Sequence, residues 1–185
     1  ITDAHAVSEL STAVNDARYI VFVLGGGGCS EAIGAILEYA DLINATIITT
    51  PHGKGFISAK QPRYAGVIGF AGHQSAYNAL ANPNTDLIIA VETNFSEWSS
   101  SGWDERLLNK RLIHVDSSCE NLTRSPIAKL HINGNILATF EQLLEVYKQN
   151  PPPSKIPQNL DSEKRETTIC LQVDEEDKYY SNATP

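Results

Sequence analysis

Four consecutive glycines, Gly25–Gly28, follow a short apolar run and are the first residues in the chain whose type and spacing suit ligand binding. In a turn between a strand and a helix, the backbone N–H groups of such residues can approach a pyrophosphate, and the helix dipole adds to the attraction. The dinucleotide-binding pattern is incomplete, because the sixth position counted from Gly25 is Ser30. The cluster therefore fits a nucleotide site and also fits a turn that only allows close helix packing.

Two further polar groups follow predicted strands. The segment Thr49–Gly55 places hydroxyl groups, His52 and Lys54 at the end of a strand, where open α/β sheets bind their ligands. It is not a phosphate-binding P-loop, since the order of glycine and lysine is wrong for one. Asp116 ends another predicted strand, and its carboxylate could receive ribose hydroxyls or cap a following turn.

A catalytic or metal site is harder to find. None of the five histidines has a second His or Cys at a short metal-ligand spacing, so each is interpreted as a packed or surface residue. A hydrolase that uses a serine of Ser96–Ser101 is a weak hypothesis, because no histidine is placed as its base. Trp98 and Trp103 flank this loop, either as a gate or interdomain contact or as a cover for the end of the sheet.

Alternating apolar runs and amphipathic segments predict the elements that position these residues. The predicted strands are Tyr19–Leu24, Ala45–Thr50, Ala65–Phe70, Asp86–Val91, Arg111–Asp116 and Ala128–Ile132. The predicted helices are Ser8–Arg18 with Ser8 as its N-cap, one after the glycines capped by Ser30, Gln74–Ala81, and Ile136–Gln149 capped by Asn135. This alternation predicts a parallel sheet of about six strands with helices on both faces.

Composition limits the class of protein. The chain has 185 residues, 42% hydrophobic and 19% charged, which is typical of one soluble domain. A net charge of −8 argues against nucleic-acid binding, and no apolar run is long enough to cross a membrane. Three widely spaced cysteines favour reduced thiols and a cytoplasmic location. The absence of methionine is typical of a chain cut from something longer.

The order and spacing of five segments resemble the central domain of thiamine-diphosphate-dependent enzymes of the acetolactate synthase, pyruvate oxidase and benzoylformate decarboxylase type. These segments are Val21–Gly27, Thr49–Gly55, Gly66–Gly69, Asp86–Ile89 and Ile113–Asp116. The resemblance implies a Rossmann-like, three-layer α/β sandwich with a six-stranded parallel sheet over residues 1–150. Residues 151–185, which begin with three prolines, are then a linker to a missing C-terminal domain.

The same resemblance implies a larger parent enzyme. The parent would use thiamine diphosphate and Mg²⁺ as a lyase or transferase acting on a 2-oxo acid, and it is expected to be a homo-oligomer. Its pyrimidine-binding and diphosphate-binding domains would be the partners of this domain. The Gly-Asp-Gly motif of the diphosphate-binding domain occurs nowhere in the chain. The prediction is therefore a non-catalytic central domain, excised from its parent.

Some members of this family bind FAD, ADP or the nucleotide part of coenzyme A in the central domain. Carried over, the candidate nucleotide pocket consists of Gly25, Gly26, Gly27, His52, Gly53, Asn94 and Asp116. Three departures favour a vestigial pocket: Glu92–Ser96 lacks the usual Gly and Arg, Asp116 is followed by two serines, and Gly134-Asn135 replaces a Gly-Asp pair. The alternative is an independent nucleotide-binding module.

Overall fold

A computed structural model describes residues 4–27 and 29–151 of the chain. Within these residues the strands are β1 (Tyr19–Leu24), β2 (Thr46–Thr49), β3 (Tyr64–Val67), β4 (Thr85–Val91), β5 (Leu112–Asp116) and β6 (Leu130–Asn133). The helices are α1 (Ala4–Asp16), α2 (Cys29–Leu42), α3 (Gln74–Ala81), α4 (Glu97–Ser100), α5 (Cys119–Leu122) and α6 (Ile136–Gln149), with a 3-10 turn over Lys54–Phe56. The predicted linker lies outside the described residues, apart from its first residue.

The strands form one parallel sheet in the order β3-β2-β1-β4-β5-β6. The chain leaves β1 toward β2 and β3 on one side, and β4 starts the second half on the other side of β1. This arrangement confirms the predicted Rossmann-like α/β fold with six parallel strands. Because the order in which strands are added to the sheet reverses between β1 and β4, the carboxyl edge at these two strands is the topological switch point, where open α/β sheets bind ligands.

Strand β1 shows why the sheet is buried on both faces. Its apolar residues alternate between two cores, with Phe22 in the core formed with α1, α2 and α6, and Val23 in the core formed with α3. Both side chains are fully buried. A continuous apolar run is what a strand covered by helices on both faces requires.

Local signals fix some helix ends and mislead at others. Helix α6 begins after Asn135, whose side-chain oxygen accepts a hydrogen bond from the Ala138 N–H at 2.9 Å, as predicted. Helix α1 was predicted to be capped by Ser8, which is wrong, because the helix begins at Ala4 and already buries Val7. Ser30 likewise lies inside α2 and is not its cap.

No helix in the described part of the chain is long and apolar enough to cross a membrane.

Candidate functional site

The loops that follow β1, β2 and β4 meet at the carboxyl edge of the sheet with almost no space between their backbones. The Gly25 N–H donates to the Val91 carbonyl at 2.8 Å, and a Cβ on Gly25 would lie 1.9 Å from the Glu92 carbonyl oxygen. A Cβ on Gly53 would lie 2.2 Å from the Leu24 carbonyl oxygen. These two glycines are therefore required by packing between loops, independently of any ligand.

Gly26 and Gly27 lie further out on the same turn and are exposed. A Cβ on Gly26 would lie 2.5 Å from the Cβ of His52, so the predicted candidates Gly26 and His52 are adjacent in space. A Cβ on Gly27 would lie 2.8 Å from Oε2 of Glu92. The structure thus brings together Gly25–Gly27, His52 and Gly53, with a carboxylate beside them.

That carboxylate belongs to Glu92, which follows β4 directly and is only 4% exposed. Its Oε1 accepts a hydrogen bond from the Ser117 N–H at 2.7 Å, so the side chain bridges the β4 and β5 loops beneath the glycine turn. Burial raises the pKa of Glu92, the hydrogen bonding from Ser117 lowers it, and the negative charge of Asp116 raises it again. The burial of Glu92 could not be predicted from the sequence pattern.

Asp116 is the last residue of β5, as predicted, and is fully buried. Its carboxylate accepts hydrogen bonds from the Ser118 N–H at 2.8 Å and from the Asn121 side chain at 3.1 and 3.2 Å. The carboxylate therefore orders the turn into α5, which is the second of its two predicted roles. A ribose hydroxyl could reach it only if these contacts moved.

Asn94 is exposed on the loop after β4, and its side chain is also engaged locally. Its oxygen accepts from the Ser96 N–H at 3.1 Å and from the Ser99 hydroxyl at 3.3 Å. Of the seven predicted pocket residues, Asn94 and Asp116 thus support turns, and Gly25 and Gly53 are packed between loops. The other three, Gly26, Gly27 and His52, are exposed where the loops after β1 and β2 meet.

The serines of the loop Ser96–Ser101 form hydrogen bonds within that loop. The Ser96 hydroxyl accepts from the Ser99 N–H as the N-cap of α4, and the Ser100 hydroxyl donates to the Ser96 carbonyl at 2.8 Å. Ser99 and Ser100 are buried. This arrangement gives the hydrolase hypothesis no exposed, activated hydroxyl at either of these two residues.

A second buried polar group lies between β5 and β6, where sequence reasoning had proposed no role. His114 Nδ1 and the Ser125 hydroxyl are 2.8 Å apart, and His131 Nε2 is 3.1 Å from the same hydroxyl. His114 Nε2 is 3.5 Å from Asp116 Oδ2, and Phe95 packs edge-on against the imidazole. Because His114, Ser125 and Asp116 are fully buried, this group joins the strands and offers no substrate access.

An aromatic patch, consisting of Phe70 and Trp98, lies on the surface, and Trp103 is exposed as well. The Phe70 and Trp98 ring centroids are 4.5 Å apart, and the Phe70 N–H donates to the Trp98 carbonyl at 2.9 Å. The exposed fractions are 65% for Phe70 and 57% for each tryptophan. Among the described residues, each tryptophan thus leaves more than half of its surface exposed.

The residues present do not fit a thiamine diphosphate and Mg²⁺ site. Among the described residues, no group of three or more His, Cys, Asp or Glu side chains is arranged to hold a metal ion. The two carboxylates at the carboxyl edge of the sheet, Glu92 and Asp116, are buried and accept hydrogen bonds from backbone N–H groups. A nucleotide diphosphate fits poorly as well, because the Glu92 carboxylate lies against Gly27.

The chain matches known proteins over most of the described region. Residues 7–143 match the family model "Thiamine pyrophosphate enzyme, central domain". Acetolactate synthase large subunits from Cyanidium caldarium and Porphyra purpurea are 32% and 30% identical over 130 and 139 residues. These alignments cover 70% and 74% of this chain but only 22% and 23% of the relatives, so the chain spans less than a quarter of their length.

A solved structure gives the same fold. It is an enzyme from Mycobacterium smegmatis assigned to the thiamin diphosphate-dependent class, and it superposes with a TM-score of 0.61 at 19% identity. The match covers 85% of this chain and 30% of that one. The family match and the parallel six-stranded sheet lead to one conclusion: the chain belongs to the central-domain family of thiamine pyrophosphate enzymes and is related to acetolactate synthase.

Proposed function

We propose that the chain is the non-catalytic central domain of a larger thiamine-diphosphate- and Mg²⁺-dependent enzyme that acts as a lyase or transferase on a 2-oxo acid. The observation that carries this proposal is the hydrogen bonding of the two carboxylates at the carboxyl edge of the sheet. There the carboxylates of Glu92 and Asp116 are buried; Glu92 bonds the loop after β5, and Asp116 bonds its own following turn. These two carboxylates thus order the loops and are not presented to solvent.

The carbon–carbon chemistry would belong to the cofactor, which supplies a carbanion at its thiazolium ring when bound. Pyrimidine-binding and diphosphate-binding domains of the same parent would hold the cofactor and its Mg²⁺. This domain would contribute architecture, together with a surface for those domains. The parent is proposed to be a cytoplasmic homo-oligomer, in keeping with the resemblance and with the cysteine content.

Turnover of pyruvate tests the proposal. The purified chain, supplied with thiamine diphosphate, Mg²⁺ and pyruvate, is expected to release no CO₂ above the protein-free rate. The product of the full reading frame that contains the chain is expected to release CO₂ under the same conditions, or with another 2-oxo acid. Turnover by the chain alone would contradict the non-catalytic assignment, and an inactive full-length product with a panel of 2-oxo acids would contradict the enzyme class.

The alternative, an independent module for FAD, ADP or coenzyme A, is favoured by one observation. Gly26, Gly27 and His52 are exposed at the topological switch point, where nucleotides bind in open α/β sheets. Absorbance spectra of the purified chain and calorimetric titrations with the three ligands separate the two functions. Micromolar binding would establish the module, whereas no heat at millimolar ligand is expected for a scaffold.

A further inference from the structure

The backbone of Glu92 adopts a conformation that glutamate disfavours. Its φ is +51°, in the left-handed region that glycine enters most readily. The Glu92 N–H donates to the Val115 carbonyl at 3.0 Å, and its own carbonyl accepts from the Gly27 N–H at 3.2 Å. The strained residue is therefore held on both sides by backbone hydrogen bonds at the switch point.

The side chain carries a second unfavourable feature. A buried carboxylate is costly unless it is paired or hydrogen-bonded. Within the described residues, no Lys or Arg forms an ion pair with Glu92, and the hydrogen bonds to its carboxylate come from Ser117. A strained backbone and a buried carboxylate without a Lys or Arg partner at one residue are typical of a functional position, since a glycine there would avoid both.

The position of the carboxylate shows what it does. Its Oε1 accepts the hydrogen bond from the Ser117 N–H. Its Oε2 lies against Gly27, just before the start of α2 at Cys29. A glycine turn leading into a helix at this edge of a sheet is where the phosphates of a nucleotide bind in open α/β folds. The Glu92 carboxylate thus occupies the space, and satisfies the backbone donor, that an external anion would use.

We propose that Glu92 is an internal anion that closes the glycine turn to nucleoside diphosphates, so that a single side chain separates this scaffold from an ADP-binding domain. The inference rests on the proposed scaffold function and explains why this scaffold does not bind a nucleotide. Both the volume and the charge of the carboxylate exclude a diphosphate. Removal of the side chain frees the Ser117 N–H and the surface of Gly27 together.

The test is a calorimetric titration of the chain with ADP, comparing wild type with Glu92→Gly. Glycine removes the carboxylate and suits the positive φ. A matched control is Ala71→Gly, because exposed Ala71 has a φ of +52° but lies in the loop after β3, away from the glycine turn in the chain. Glu92→Ala, which removes the carboxylate without changing backbone freedom, is the second variant if Glu92→Gly fails to fold by circular dichroism.

The expected result is ADP binding by Glu92→Gly at least tenfold tighter than by wild type or Ala71→Gly. Amide shifts of Gly27 and Ser117 in the NMR spectrum should move with ADP in the Glu92 variant alone. If no protein binds ADP, the internal-anion inference is overturned and the scaffold function stands. If wild type binds ADP as tightly as the variant, both the inference and the scaffold function fail.

Discussion

Glu92 is a residue whose protonation should couple to folding. Its pKa in the folded chain is raised above the ordinary value of 4.5, with burial as the largest cause. The folded state then holds this proton more tightly than the unfolded state does. The neutral form of Glu92 therefore contributes its full stabilisation at pH values below 4.5. This contribution is lost as the pH rises through the pKa of Glu92 in the folded chain.

We therefore expect the free energy of unfolding of wild type to fall, relative to Glu92→Gln, as pH rises from 4.5 to 8. Glutamine keeps the shape and an oxygen for the Ser117 N–H but does not titrate. Each tenfold difference in proton affinity between folded and unfolded chain is worth about 1.4 kcal/mol. Urea unfolding across this range measures the difference.

Exposed Glu145→Gln controls for the loss of one negative charge. A gap between wild type and Glu92→Gln that stays constant from pH 4.5 to 8 would show that Glu92 does not titrate differently in the folded chain.

The Ser125 hydroxyl matters through its contact with buried His114. Replacement by alanine leaves His114 Nδ1 without its 2.8 Å partner, in a place that water does not reach. We expect Ser125→Ala to lower the free energy of unfolding by about 1–3 kcal/mol, the cost of an unsatisfied buried polar group.

Urea unfolding of Ser125→Ala and of exposed Ser8→Ala provides the comparison, since Ser8→Ala should change stability by less than about 0.5 kcal/mol. If both variants lost the same free energy of unfolding, the contact between Ser125 and His114 would have no special structural role.

At the scale of elements, the pattern predicts elements best where periodicity and a local stop signal coincide. Helix α3 ends at Ala81, before Asn82-Pro83, and its predicted bounds are confirmed. Strand β3 was predicted to run to Phe70 but ends at Val67. There the His73 N–H donates to the Val67 carbonyl at 2.7 Å, and Gly69 has a φ of +98°. Apolar residues inside a tight turn look like strand residues in a sequence.

The N-cap of α6 gives a prediction at this scale. Asn135→Ala removes the oxygen that accepts the Ala138 N–H, and we expect it to lower the free energy of unfolding by about 1 kcal/mol. Asn135→Asp retains an acceptor near the positive end of the helix and should cost much less. Chemical denaturation followed by circular dichroism measures both. An alanine variant as stable as the aspartate variant would contradict the capping role.

At the scale of the whole molecule, the sequence predicts which loops meet at the carboxyl edge of the sheet. It does not predict how the side chains of those loops are bonded to one another. Glycines after β1 and β2 could be predicted to meet because carboxyl ends of parallel strands share an edge. The positive φ of Glu92 and the hydrogen bond from the Ser117 N–H to its carboxylate depend on contacts between the β4 and β5 loops that no local pattern encodes. The predicted pocket residues therefore include both edge residues and turn supports.

Within the described residues, the aromatic patch is a feature that the fold itself does not explain. Large exposed apolar surfaces commonly mark contacts with other proteins or domains. Under the proposed function, the other domains of the parent would be the neighbours of this patch. A surface kept for that purpose should contribute little to the stability of the chain by itself.

We expect the double variant Phe70→Ser/Trp98→Ser to lose at most about 1.5 kcal/mol of unfolding free energy, mainly from the contact between the two rings. Phe140→Ala is the buried counterpart. Phe140 is fully buried against Phe22 and Tyr39, and its loss should cost about 3–5 kcal/mol. Urea unfolding measures both variants, and binding of an apolar dye should fall in the double variant alone. If the double variant is destabilised as much as Phe140→Ala, the patch supports the fold and is not held in reserve for a neighbouring domain.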